Sequence, residues 1–97
     1  MVPEPPDYLD DALRKRWAEL APRVARNGTL TRGTVDSFAR YVIAEQEYLR
    51  AVQRVLAALR TGDDTGAAAW SQIQDRFFRE LQSTGRDFGL TPGSDPL

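Results

Sequence analysis

The sequence predicts an all-α fold, in which three helices form an up-down-up arrangement with a long central helix. Apolar residues recur at spacings of three and four in three successive segments, which is the period of one helix face. The segments are separated by short turns, and helices with short connections pack as antiparallel neighbours. A chain of 97 residues has room for one domain with a modest core. We therefore expect one helical domain over residues 9–92, between a flexible proline-rich tail at 1–8 and a C-terminal tail at 93–97.

The first helix is predicted over about residues 9–27. Asp7 or Asp10 can cap its start, and Gly28 can end it. Pro22 lies on the side where its missing N–H faces water. The apolar stripe, which we expect to enter the core, comprises Leu9, Leu13, Trp17, Leu20 and Val24.

The second helix is predicted over about residues 32–60, a length of ~44 Å, with the Thr31 hydroxyl as its cap. Its apolar residues form a heptad seam: Val35, Phe38, Val42, Leu49, Val52, Leu56 and Leu59. Glu45 occupies the missing seam position. We expect Glu45 to lie near the surface; the alternative is a pair with an arginine across an interface, because unpaired burial of a charge is costly.

A second apolar row widens the seam of the central helix. Tyr41, Tyr48 and Val55 recur every seven residues beside it, which gives more apolar surface than a simple two-stranded coil uses. The width predicts self-association into a homo-oligomer larger than a dimer. The predicted interface residues are Tyr41, Glu45, Tyr48, Val52, Val55 and Leu59.

The third helix is predicted over about residues 66–88, after a turn at 61–66. Asp63 and Asp64 in that turn are explained by helix capping rather than by metal binding, which requires further converging ligands. The apolar stripe comprises Trp70, Ile73, Phe77, Leu81, Thr84 and Phe88. Gly85 or Gly89 can end the helix. We expect the first and third helices to share one broad face of the second, with a core built mainly from Trp17, Trp70, Phe77 and Phe88.

The composition disfavours several classes of function. The chain has no cysteine and no histidine, and it lacks a glycine-rich phosphate loop, so we expect no enzyme, no catalytic residue, no cofactor and no metal site. A net charge of −1 disfavours tight nucleic-acid binding by an isolated monomer. Apolar runs are too short to span a bilayer and the start lacks a signal pattern, which predicts a cytoplasmic protein without membrane contact.

Short motifs along the chain resemble those of the small terminase subunits of tailed bacteriophages. The motifs are Pro5-Pro6, Trp17, Gly28-Thr29-Leu30-Thr31, Phe38-Ala39-Arg40-Tyr41 and the closing Phe88-Gly89-Leu90-Thr91-Pro92. The resemblance implies a ring-shaped homo-oligomer that recognises double-stranded viral DNA. It also implies a large-subunit partner, whose ATP-driven motor and nuclease the small subunit regulates in the host-cell cytoplasm during phage assembly. The alternative is a non-viral all-α protein-interaction or transcription-associated module that oligomerises through its long helix.

Arginines gather around the first helix and the turn after it, and they mark the predicted DNA contacts. A helix-turn-helix interpretation adds two residues from the start of the second helix, although a plain helical hairpin is favoured because that helix is long for the motif. The predicted contacts, mainly to phosphate, are Arg16, Arg23, Arg26, Arg32, Thr34 and Arg40. A solvated basic surface is the alternative interpretation of these arginines.

Overall fold

The computed structural model describes residues 1–90, and within that range the chain is all-helical with no β-strand. Its elements are α1 (Asp11–Arg26), a short 3-10 helix (Arg32–Thr34), α2 (Val35–Arg60) and α3 (Asp64–Arg86). The predicted all-α class with three helices is confirmed. Thr91 and Pro92 of the closing motif, and the predicted tail at 93–97, lie outside the described residues.

Local hydrogen bonds fix the ends of α1. The Asp10 carboxylate accepts from the Leu13 N–H at 2.9 Å, so the helix starts two residues later than the sequence predicted. At the other end, the backbone N–H groups of Thr29 and Leu30 both donate to the carbonyl of Val24. Gly28 makes this turn possible because it takes a φ of 81°.

Side-chain caps also fix where α2 and α3 begin. Thr31 caps as predicted, but it starts the 3-10 helix, in which its hydroxyl accepts from the Gly33 N–H and Thr34 accepts from the Thr31 N–H. The α-helical geometry therefore begins only at Val35. Asp63 accepts from the Gly66 N–H at 2.9 Å, and α3 starts at Asp64.

The two outer helices run antiparallel to α2 but pack on different sides of it. The contacts that define these sides are Trp17–Phe38 and Arg16–Glu45 for α1, and Arg40–Glu80, Tyr48–Phe78 and Arg54–Trp70 for α3. At 100° per residue, the two sets point roughly 140° apart around α2. The predicted shared face is therefore wrong, and the molecule is elongated, with extents of 49 × 29 × 21 Å.

Small residues explain why α3 packs on this other side of α2. Ala44, Ala51 and Ala58 recur every seven residues and are at most 8% exposed. A row of methyl groups lets the backbone of α3 approach α2 closely, and Ala67 of α3 is buried as well. The heptad seam follows the large apolar residues, whereas this alanine row points about 140° away from it around α2.

The core lies where α1, the first half of α2 and the end of α3 meet. Phe38 is fully buried, and its ring contacts Trp17 at 4.8 Å and Phe88 at 5.1 Å between centroids. The predicted stripe of α1 is buried except at Leu20, which is half-buried. Of the other predicted core residues, Phe77 is half-buried and packs against this cluster. Trp70 is half-buried farther along α3, beside Arg54, where α1 does not reach.

The N-terminal segment lies against the helices. Trp17 Nε1 donates to the carbonyl of Pro3 at 3.2 Å, and the Tyr8 hydroxyl donates to the Asp36 carboxylate at 2.9 Å. Arg14 donates to the carbonyl of Pro6. These contacts place residues 1–8 beside α1 and the start of α2, and the flexibility of the segment stays a prediction.

Candidate functional site

Three of the predicted DNA contacts lie together at one end of the molecule. Arg23 and Arg26 occupy the last turn of α1, and Arg32 lies in the 3-10 helix that follows it. All three side chains are exposed, and Arg26 and Arg32 both border the same Met1–Val2 segment. We call Arg23, Arg26 and Arg32 the basic turn.

Arg16 lies elsewhere, in an ion-pair network between α1 and α2. Its guanidinium donates to both carboxylate oxygens of Glu45, at 2.6 and 3.1 Å, and to Glu19 at 2.9 Å. The hydrogen bond to Glu45 raises the pKa of Arg16 above its ordinary value. The Glu45 side chain is only 18% exposed, so the favoured surface position is wrong. The alternative, a pair with an arginine across an interface, is found between α1 and α2 of the same chain. Phosphate contact by Arg16 would have to displace these carboxylates.

The last two predicted DNA contacts also have structural partners. The Thr34 hydroxyl donates to the carbonyl of Thr29 at 2.8 Å and accepts from the Thr31 N–H, so it holds the turn in shape. Arg40 lies on the α3 side of α2, where it pairs with Glu80. The three arginines of the basic turn thus lie at the end of α1 and in the 3-10 helix. Arg16 lies two turns earlier on the same face of α1 as Arg23, and both are close enough to Tyr41 to oppose the rise in its pKa that burial causes. Arg40 lies on the α3 side of α2.

A second candidate site lies at the other end of α2, where α1 no longer covers the seam. Leu49, Leu56 and Leu59 are 53%, 48% and 58% exposed, and Val52 between them is half-buried. The start of α1 reaches only as far as Leu49, with which it lines a shallow groove. We call Leu49, Val52, Leu56 and Leu59 the leucine strip. Contiguous exposed apolar residues on a soluble protein mark an interaction surface.

The predicted interface residues divide between this strip and the interior. Val52 and Leu59 belong to the leucine strip, and Tyr48 and Val55 lie beside it, half-buried. Tyr41 is only 6% exposed, so the protomer itself already covers it. Burial raises the pKa of the Tyr41 hydroxyl, which lies near the carbonyl of Leu90.

Sequence reasoning missed a further surface on the opposite side of the α2–α3 hairpin. The Arg54 guanidinium lies 5.5 Å from the ring centroid of Trp70, and that of Arg76 lies 5.2 Å from Phe77. Neither arginine has a carboxylate within 4.0 Å among residues 1–90. The half-buried Ile73 lies on the same side of α3. We call Arg54, Trp70, Ile73, Arg76 and Phe77 the aromatic face.

The aromatic face continues into a groove between α2 and α3. The groove has a volume of about 290 Å³, and it is lined by Arg40, Ile43, Ala44, Arg76, Phe77 and Glu80. The apolar stripe of the third segment was the signal that could have identified this surface. It was interpreted as core because the sequence does not show that α1 and α3 cover different sides of α2.

Neither a metal site nor a membrane-spanning helix is found in the part of the chain that the structure describes. No three histidine, cysteine, aspartate or glutamate side chains of residues 1–90 are grouped so that they could hold a metal ion. Within the same range, every helix is too short or too polar to cross a bilayer.

Comparison with known protein families finds a match. The family model described as "Phage terminase, small subunit" matches residues 14–95, which is most of the chain. The searches of curated proteins and of solved structures found no significant match.

Proposed function

We propose that this chain, which belongs to the phage terminase small-subunit family, recognises double-stranded viral DNA. We further propose that it regulates the ATPase and nuclease of the large subunit during genome packaging. The family model covers α2, α3 and α1 from Arg14 onward. The chain acts as a ring-like homo-oligomer, in the cytoplasm of the host cell, and it is not itself an enzyme. The match to a phage family disfavours the alternative of a non-viral interaction module.

The observation that carries the proposal is the separation of the basic turn from the leucine strip. Arg32 and Leu56 lie 24 positions apart along nearly continuous helix, which corresponds to about 35 Å at 1.5 Å per residue. Copies that associate through the leucine strip, at the C-terminal end of α2, would therefore leave the basic turn of each copy uncovered.

Repetition of the basic turn explains how a nearly neutral chain would hold DNA. The net charge is −1, so one copy offers only a few phosphate contacts. Linked copies make each further contact intramolecular, and the affinity of the assembly then exceeds that of one copy by orders of magnitude. Binding should be strongly salt-dependent and should involve mainly phosphate.

Charge reversal in the basic turn tests the DNA contact. The double variant Arg26→Glu with Arg32→Glu should lose DNA retention at low salt, and its log–log salt slope should fall by about two per bound protomer. The matched control is Lys15→Glu with Arg79→Glu, which makes the same change of charge at exposed positions away from the turn. Native mass spectrometry of each variant checks that the assembly is intact.

Two results would contradict the proposal. Wild-type DNA retention by the Arg26/Arg32 variant, with the assembly intact, would show that the basic turn is only a solvated surface. A wild-type chain that stays monomeric at micromolar concentration would exclude the ring. For the regulatory role, adding the small subunit should change the ATPase rate of the large subunit, and an unchanged rate would refute that part.

A further inference from the structure

We infer that the leucine strip of one copy packs on the aromatic face of the next copy, so that each subunit uses two different surfaces. This inference rests on the proposed homo-oligomer and specifies how its subunits meet. Such a head-to-tail contact is heterologous, and a heterologous contact produces a ring when the rotation between copies closes.

The first reason is the position of the two surfaces. At 100° per residue, the leucine strip and Arg54 of the aromatic face point about 180° apart around α2. The α2–α3 hairpin is one layer of helices, so the two surfaces lie on opposite sides of it. A second copy that covered one surface would leave the other exposed, and a chain of copies covers both.

The second reason is charge. The four side chains of the leucine strip are uncharged, and the polar residues that flank them on one side are Gln53 and, one turn after Leu56, the exposed Arg60. The aromatic face carries Arg54 and Arg76, each over a ring and neither with a carboxylate partner among residues 1–90. Two aromatic faces packed together would bring four guanidinium groups into one interface, which like-charge repulsion disfavours.

Aliphatic side chains of the leucine strip avoid that repulsion. They can cover the rings of Trp70 and Phe77 while the two guanidinium groups stay at the rim in water, since arginine places its apolar stem on the surface and its charge in solvent. A polar rim around an apolar centre is the usual composition of a protein interface. The leucine strip therefore fits the aromatic face better than either surface fits itself.

Complementation between two variants tests this arrangement. The strip variant is Leu56→Glu with Leu59→Glu, at side chains that are 48% and 58% exposed. The face variant is Ile73→Glu with Arg76→Glu. Each should be monomeric alone at a concentration at which the wild type is assembled. Mixed in equal amounts, they should form a heterodimer, because the intact face of the first still binds the intact strip of the second.

The design separates the interface from other causes. Both variants add acidic side chains, so the two altered surfaces repel each other and the mixture stops at the dimer. Gln72→Glu with Arg79→Glu, at exposed positions on the far side of α3 from α2, is the matched control and should assemble like the wild type. Circular dichroism checks that each variant keeps its helices. If the face variant unfolds, Arg54→Glu with Arg76→Glu, both at exposed positions, replaces it.

Native mass spectrometry of the variants and of their mixture decides the result. A heterodimer in the mixture supports the head-to-tail contact. Assembly of the face variant alone, or a mixture that stays monomeric, overturns it. These failures are distinct from failure of the proposed function, which a monomeric wild type or a DNA-binding Arg26/Arg32 variant would show.

Discussion

Truncation of Phe38 should destabilise the protein more than any other single loss of an aromatic ring. The side chain is fully buried, and it joins α1 to the end of α3 through edge-on contacts with Trp17 and Phe88. Replacing a buried phenylalanine by alanine costs about 3–5 kcal/mol, and the two ring pairs place Phe38→Ala in the upper half of that range.

The expected loss is large compared with the stability of a small domain, which is about 5–15 kcal/mol. Since 1 kcal/mol corresponds to a Tm change of roughly 4–8 °C at this size, Phe38→Ala should lower the Tm by about 20 °C or more. Thermal and urea unfolding, followed by circular dichroism, measure it. The background is the monomeric Leu56→Glu with Leu59→Glu variant, because association would add a concentration-dependent contribution.

Phe77→Ala is the matched control for Phe38→Ala. Phe77 is half-buried and contacts the Arg76 guanidinium, so its truncation in the monomer should cost only about 1–2 kcal/mol. A loss below about 2 kcal/mol for Phe38→Ala, or equal losses for the two variants, would refute the placement of the core at the α1 end of the molecule.

Two further predictions concern the contact between α3 and Tyr41. Gly85→Ala should lower the free energy of unfolding by about 1–3 kcal/mol in urea unfolding, although alanine has the better helix propensity. The Cβ of an alanine at position 85 would lie 3.0 Å from both the Leu90 carbonyl oxygen and the Tyr41 ring. A stabilised variant would contradict this close approach. Burial raises the pKa of Tyr41 above 10.0 in the folded protein. As pH increases, the Tyr41 hydroxyl therefore ionises in the unfolded chain before it does in the folded one. The contribution of Tyr41 to stability should accordingly be lost from about pH 10 upward. Tyr41→Phe should reduce this alkaline loss in pH-dependent urea unfolding, and an unchanged loss would exclude Tyr41 as its source.

The three helices of this fold could be predicted from the sequence, because helix formation and helix ends depend on residues that are close together in the chain. Capping residues and glycine turns act over a few neighbours, so Thr31 and Gly28 mark helix boundaries correctly. The stripe of α1 also lies in the core as its spacing predicted. The family resemblance rested on short motifs, and the family model confirms it over residues 14–95.

The choice of helix faces, in contrast, depended on tertiary packing. The alanine row lets α3 approach a side of α2 that large residues do not mark, and the short α1 leaves Leu56 and Leu59 uncovered. The spacing of apolar residues identifies a stripe on one helix. It does not show which other helix packs on that stripe, because that helix is a separate part of the sequence. Trp70 was therefore assigned to the core although it lies half-buried on the hairpin, whereas Phe77, also half-buried, does pack against the core.

The partners of charged residues were decided by the tertiary structure as well. Arg16 and Glu45 are 29 positions apart, and only the antiparallel packing of α1 on α2 brings them within 2.6 Å. The sequence by itself determined that arginines gather near the first turn. The tertiary structure decided that Arg16 and Arg40 pair with carboxylates, because an ion pair forms wherever packing brings opposite charges together, at any separation along the chain.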